Sequence, residues 1–415
     1  MKWRLALILS SLVIIPFSIN AQSIHTLDYY IVSAKENSPV LNDYNNQRYI
    51  LKIDSLIMRS EYGLKITAAA DMLYAPIIRD WGYDAALSNG QNVSAIVRIS
   101  KDLLGKTNLN TRLSNLSLTI KQILNQGKIS ELQLNRTITE QYINTYALQL
   151  QYQNSQEIIK LLNEEGIILK RLTQSSAFKQ TDYLSFMVIL QQNLLTSQQI
   201  YADWLNNYAT LNYLSGIVDT TLQKIEPPLF PDRDVVPFSQ SIYAENYKTD
   251  SLKLANDAKI VVYEYRPKLT AYVDGGYSSS IATTPYKNFG TSVGVALTVP
   301  IYDGGKQKKL LQQKQVQQDT RRKYNEFEIN QYTQQTVQIE QQIKEYKQII
   351  TTANEQLKYA QILIDANLKQ LPTGDVKLAD FILSINNYIN LKSGLIQFET
   401  ILYNLYNRLN NLIIQ

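Results

Sequence analysis

The sequence predicts a mainly α-helical chain with a small transmembrane β part, built as two repeats of a β-hairpin followed by a long coiled helical hairpin. Three observations carry this prediction. A strand-like opening is written twice, as Tyr62-Gly-Leu-Lys65-Ile-Thr and as Tyr265-Arg-Pro-Lys268-Leu-Thr. Each copy passes through a turn-rich stretch to a second alternating segment, Val93-Ser-Ala-Ile-Val-Arg-Ile99 or Val293-Gly-Val-Ala-Leu-Thr-Val299. Each then reaches a Gly-Lys pair, Gly105-Lys106 or Gly305-Lys306, and enters a polar helical tract far too long for a compact domain.

Taken in order, the first residues read as a secretory signal over 1–21. Lys2 and Arg4 precede an apolar run over 5–17, and Ala21 offers a small residue for cleavage. The run is too short to span a bilayer comfortably. Losing Lys2 and Arg4 takes the formal charge from +5 to +3, nearly neutral for 415 residues, so nothing points to a nucleic-acid partner. Cysteine is absent, which excludes disulfides, thiolate chemistry and a cysteine-borne lipid. No later stretch is apolar enough to cross a membrane as a helix, so membrane contact falls to strands.

The first repeat is placed at 22–218, with a helix at about 25–60, strands at about 62–75 and 91–101, and helices at about 106–173 and 178–215. A stiff linker follows at 219–240, containing Glu226-Pro-Pro-Leu-Phe-Pro-Asp-Arg-Asp-Val-Val-Pro237. The second repeat, 241–415, carries a helix at about 241–264, strands at about 266–278 and 290–302, and helices at about 306–371 and 376–413.

The strands alternate between an apolar and a wetter face. Ile66, Ala68, Ala70, Met72 and Tyr74 share one side of the first, and Lys65, Thr67, Ala69 and Asp71 the other. Val93, Ala95, Val97 and Ile99 oppose Arg98 and its neighbours; Leu269, Ala271 and Val273 oppose Lys268, Thr270, Tyr272 and Asp274; Val293, Val295, Leu297 and Val299 complete the apolar set. Transmembrane barrel strands of about 9–11 residues alternate in this way. Hairpins covering a soluble core are the alternative, but four strands have no second sheet to cover them. Four strands also cannot close a barrel, and an open edge in lipid leaves backbone groups unsatisfied. Other copies of the chain must complete it, as a dimer or a larger ring. Lys65, Asp71, Arg98, Lys268 and Asp274 then face the lumen.

After Gly305 the chain reaches Leu371 without proline or glycine, about 100 Å of helix at 1.5 Å per residue. Ile339, Ile343, Tyr346, Ile350, Ala353, Leu357, Ala360, Ile364, Asn367 and Leu371 keep a three-four spacing, as do Leu395, Phe398, Leu402, Leu405, Leu409 and Leu412 on the returning helix. That period implies supercoiled packing against neighbouring helices. A purely structural coiled coil is the alternative. The hairpins turn at Gln174-Ser-Ser-Ala-Phe-Lys-Gln-Thr-Asp182 and at Leu371-Pro-Thr-Gly374-Asp375. Pro372 and Gly374 stop the helix, and Asp375 is expected to cap the next one.

The run Val293-Gly-Val-Ala-Leu-Thr-Val-Pro300-Ile-Tyr-Asp303-Gly304-Gly305 is similar to the strand-to-helix motif of the TolC-type outer-membrane factors, the outer membrane efflux proteins. The second turn resembles that family's tip pattern in Gly374, Asp380, Phe381 and Ile382. The first repeat keeps Asp182, Tyr183 and Leu184 but has Ser176 for the Gly, and its 101–104 stretch lacks the Pro and first Gly of the strand-to-helix motif. The resemblance covers nearly all of the mature chain. It implies a homotrimer closing as a twelve-stranded barrel in the outer membrane of a Gram-negative bacterium, in contact with outer-membrane lipid, and an α-helical tunnel across the periplasm. It also implies docking to a periplasmic adaptor (membrane fusion) protein and an inner-membrane transporter, as the passive exit duct of a tripartite efflux or type I secretion system. The competing reading is a periplasmic adaptor or structural coiled-coil protein of the envelope, which would need a lipoyl-like β module in place of the hairpins.

The chemistry expected of such a chain is passage, with no catalytic residue, cofactor or metal. His25 is the only histidine and reads as an N-terminal surface residue. Gly304-Gly305-Lys306 lacks the full phosphate-loop pattern, and Asp274-Gly275-Gly276 reads as a strand-end turn or rim kink. The candidates at the periplasmic tip are Asp182, Gly374, Asp375 and Asp380, whose carboxylates would form a cation-favouring ring. A helix cap and solvated helix faces are the bland reading of the same three acids.

Overall fold

The computed structural model describes residues 25–82, 91–175, 178–219, 221–230, 235–280 and 284–412. The expected signal at 1–21, Ser176 of the first turn and linker residues 231–234 lie outside them. The elements are α1 (Leu27–Asn37), α2 (Pro39–Glu61), β1 (Lys65–Tyr74), β2 (Gln91–Asp102), α3 (Lys106–Gln174), α4 (Gln180–Leu214), α5 (Ile242–Glu264), β3 (Lys268–Ser279), β4 (Phe289–Thr298), α6 (Lys306–Gln370) and α7 (Leu378–Leu412). Helix dominates, with one small antiparallel sheet in the order β1-β2-β3-β4.

Two expected spans are corrected. The helix expected over 25–60 is split, because Pro39 opens α2 at a position that needs no N–H and Ser38 Oγ accepts from Leu41 N–H at 3.3 Å. The strand expected over 290–302 ends at Thr298, opposite Lys268. Val299 would face Pro267 and Pro300 has no N–H, so the ladder stops there.

The described residues group into two compact units, one of residues up to 33 with 141–229, the other of 34–140 with 230–415. In the first, the far part of α3 meets α4 where the Ser155 and Ser197 hydroxyls lie 2.8 Å apart and the Tyr152 and Tyr201 rings 5.1 Å apart, and Leu162, Leu169, Phe186 and Leu211 are buried. Tyr142 Oη donates to Glu226 O at 2.7 Å, while the Gln149 side chain takes both the N–H and the C=O of Ile225. His25 is corrected from a surface residue. It bridges to Ile225, stacks on Tyr29 and lies 3.4 Å from the Tyr30 hydroxyl.

In the second unit, α6 and α7 pack antiparallel through Ile339, Ile343, Leu405 and Leu409, members of the three-four stripe. Helix α5 joins α3 through the apolar cluster of Ile129, Leu132 and Ile242, and both α3 and α6 through polar contacts. Glu264 pairs with Arg112 at 2.7 Å, Asp257 with Lys314 at 3.5 Å, Glu245 with Lys121, and Asp250 with both Gln122 and Arg321. The same unit holds the whole sheet.

Candidate channel wall and tip

The sheet's register stacks Ile66, Ile99, Val273 and Val293 in one row and Thr67, Arg98, Asp274 and Ser292 in the next. Because strand side chains alternate, the apolar sets of all four strands fall on one face and the charged sets on the other. The apolar face is bare: Ile66 is 70% exposed and Val293 80%. From Phe289 to Leu297 it runs about 27 Å at 3.4 Å per residue, close to the ~25 Å apolar band of membrane barrels. The Tyr277 and Phe289 rings meet at 5.3 Å at its loop end. The outer edges of β1 and β4 carry no partner strand among the described residues.

On the opposite face Arg98 donates from Nε and one terminal nitrogen to the two Asp274 oxygens, at 2.7 and 2.8 Å. Its guanidinium also lies 4.6 Å from the Tyr272 ring centroid. This bidentate pair staples β2 to β3, the seam between the two strand pairs. The Tyr272 ring covers Gly294, where a Cβ would stand 2.4 Å from the ring. Of the two readings of Asp274-Gly275-Gly276, a strand-end turn or a rim kink, the turn is corrected, since the three residues are paired within β3. At Gly276 a Cβ would meet Ala95 O at 2.2 Å, so the glycine is required by close strand approach. Lys65 and Lys268 open β1 and β3 and line one cavity of about 500 Å³ with Asp102, Arg112, Glu264 and Arg266. Asp71 stands opposite Ser94, exposed and away from that cavity.

The strand-to-helix motif is a built corner. The chain leaves β4, passes Pro300, and turns at Gly304 and Gly305 with φ of 67° and 75°. Asp303 accepts from Gly305 N–H at 2.8 Å and from Gln307 N–H at 2.7 Å, capping α6. The Gln307 bond above all, with the Gly305 bond and the Tyr265 hydroxyl, holds the Asp303 carboxyl below the usual carboxylate range. Tyr265 and its counterpart Tyr62 were visible as repeated letters, but their task emerges only in three dimensions. Each ends a helix and reaches the junction beyond the next strand pair, Tyr265 at Asp303 and Tyr62 at Gly105.

At the second turn, Gly374 adopts φ 78°, and Asp375 accepts from the Thr373 hydroxyl at 2.6 Å. The cap expected of Asp375 is not formed, because α7 starts only at Leu378 and the Lys377 carbonyl takes the first helical N–H groups. Asp380 lies in the first turn of α7, its N–H on Lys377 O at 3.0 Å. Asp182 repeats that geometry in the other unit, in the first turn of α4 with its N–H on Lys179 O at 3.1 Å. Asp375 and Asp380 thus share one turn, and Asp182 belongs to the other.

Strand pairs of this register feeding such long helices make up the outer-membrane channel fold. The chain is similar to the outer membrane protein VceC of Vibrio cholerae, with 11% identity, a TM-score of 0.78 and coverage of 93% of this chain and 95% of that one. It is similar as well to the CmeC outer membrane channel of Campylobacter jejuni (12%, TM-score 0.75, 93% and 85%). The MtrE outer membrane channel of Neisseria gonorrhoeae in its open state also matches (12%, TM-score 0.72, 93% and 88%). No protein-family profile and no curated protein matches the sequence. At these identities the likeness is one of fold, and it bears out the resemblance read from the 293–305 motif. Among the described residues no helix is long and apolar enough to cross a membrane, and no group of three or more His, Cys, Asp or Glu side chains is arranged to hold a metal ion.

Proposed function

We propose that the chain is one-third of an exit duct in the outer membrane, passively conducting substrates delivered by an inner-membrane transporter through a periplasmic adaptor. The observation that carries this is the sheet: four strands, a bare apolar face and two unpartnered edges. Such edges cannot rest in lipid, where no water satisfies their N–H and C=O groups. Pairing β1 of one copy with β4 of the next removes every edge at once, and three copies give twelve strands. Helix α2 supports the same assembly. None of its residues is buried, and Ile50, Leu56 and Ile57 are each more than half exposed, as a surface awaiting a second copy would be.

In that ring Lys65, Asp71, Arg98, Lys268 and Asp274 line the barrel, the apolar face meets outer-membrane lipid, and α3, α4, α6 and α7 form the periplasmic tunnel. Purified full-length protein is expected in the outer-membrane fraction as a trimer that dissociates on heating. A soluble monomer would defeat the reading. The carboxylates Asp182, Asp375 and Asp380 then form a negative ring at the tunnel tip. Asp380→Ala is expected to lower cation preference in single-channel recordings, and unchanged selectivity and conductance would remove the ring from the account.

A further inference from the structure

The helix end of β4 carries a surface that the duct reading leaves unused. Beyond the strand's last paired residue the connector carries three exposed apolar side chains. Val299 is 48% exposed, Ile301 94% and Tyr302 88%. Four residues after Tyr302, α6 begins with Lys306, Lys308 and Lys309, all exposed and with no acid in the first turn. A cationic first turn is unfavourable on its own, since the helix N-terminus is already the positive end of the dipole.

Farther along the helix some cations are paired and others, Lys323 and Lys344 among them, enter no ion pair among the described residues. Lys314 pairs with Asp257 and Arg321 with Asp250, both at 3.5 Å. Among the described residues no ion pair involves Lys306, Lys308 or Lys309. The nearest carboxylate in sequence, Asp303, is committed to the Gly305 and Gln307 N–H groups. Lys101 adds a fourth such cation, exposed on the apolar sheet face in a row with Ala271 and Val295. An apolar strip that ends in uncompensated cations is complementary to one kind of amphiphile, acyl chains under an anionic head.

We propose that Val299, Ile301 and Tyr302 with Lys101, Lys306, Lys308 and Lys309 form an interfacial anchor for anionic phospholipid. The headgroup phosphates meet the lysines, and the acyl chains lie along Ile301 and the β4 face. This rests on reading the sheet as lipid-embedded, and it assigns the helix end of the sheet to the phospholipid leaflet. Aromatic and lysine residues at a membrane interface, and clustered cations beside anionic headgroups, act in this way.

The test uses full-length protein in nanodiscs of phosphatidylcholine and phosphatidylglycerol in known ratio, extracted in mild detergent, with retained lipid measured by mass spectrometry. Wild type is expected to retain phosphatidylglycerol about threefold above the bulk ratio. The variant K306Q/K308Q/K309Q falls to the bulk ratio, and I301S/Y302S retains less lipid of both kinds. Wild type at the bulk ratio, or unchanged enrichment in the lysine variant, overturns the proposal. So does displacement of the lipid by millimolar inorganic phosphate with phosphate binding intact in I301S/Y302S, which would make the patch a free-anion site. Loss of the trimer with unchanged enrichment would assign the lysines to a neighbouring copy and overturn it too. Conductance in planar bilayers, measured on the same preparations, decides the duct reading separately, since that depends on wild-type channels opening and not on the lipid ratio.

Discussion

At Gly105 and at Gly305 the chain makes the same transition, from a strand of the sheet to a helix of well over sixty residues. At each the glycine carbonyl accepts the first helical N–H, from Leu109 at 2.8 Å or Lys309 at 3.2 Å. Yet the two glycines answer different demands. Gly305 and its neighbour Gly304 hold left-handed φ values in open space, where a Cβ would meet nothing within 4 Å. Gly105 is absent from the left-handed residues, and a Cβ there would stand 2.7 Å from the Tyr62 ring. One junction needs glycine for its backbone, the other for its missing side chain. The cause lies just upstream. Pro300 ends β4 at Thr298 and leaves a long connector to be folded back, whereas β2 stays paired through Asp102 and leaves little chain to turn.

The sharpest way to test this contrast is G304A/G305A. Each substitution forces an L side chain into the left-handed region, at roughly 1–2 kcal/mol apiece, and no neighbouring group can relieve the cost. Denaturant unfolding of the purified protein is expected to show the sum. Next in size is Gly105→Ala, which must displace the Tyr62 ring at roughly 1–3 kcal/mol. Here relief is available. In a double-mutant cycle Tyr62→Ala is expected to recover much of the loss, with a coupling of about 0.5–3 kcal/mol. A cycle with no coupling, or G105A costing nothing, would return the two junctions to a single explanation.

The legibility of the chain divides along the same line. The helical bulk and the strand faces were readable because both rest on local period: an unbroken polar tract for helices and strict alternation for Ile66, Ile99, Val273 and Val293. The 293–305 run announced the fold because Pro300, Asp303, Gly304 and Gly305 all act within one corner. What escaped was whatever depends on residues distant in sequence. Asp274-Gly275-Gly276 looks like a turn, since such dipeptides favour turns. The true constraint on Gly276 comes from Ala95 on the neighbouring strand. His25 looked exposed because nothing near it in sequence reveals Ile225. Asp375 looked like a cap, but the helix starts later and Thr373 takes its carboxylate. The repeated tyrosines gave a cue without a role, because Tyr62 and Tyr265 act on residues beyond the strands they precede.

The smallest expected effect separates the junctions by pH. Asp303 caps α6 through both carboxylate oxygens, and these N–H bonds favour its ionised form. At the first junction Asp102 is turned elsewhere, accepting from the Thr270 hydroxyl at 2.6 Å. With its folded pKa depressed, Asp303 contributes stability that is fully present above the unfolded carboxylate pKa of about 3.9, and that is lost as pH falls through the folded value. Asn at 303 keeps one acceptor oxygen but has no charge to favour. D303N is therefore expected to be less stable than wild type at neutral pH. The gap in unfolding midpoint should narrow below about pH 4 and close once the wild-type carboxyl is protonated. A gap that stays constant from neutral to acid pH would mean that the cap acts through geometry alone, and the second junction would then owe its corner to Gly304 and Gly305 without help from charge.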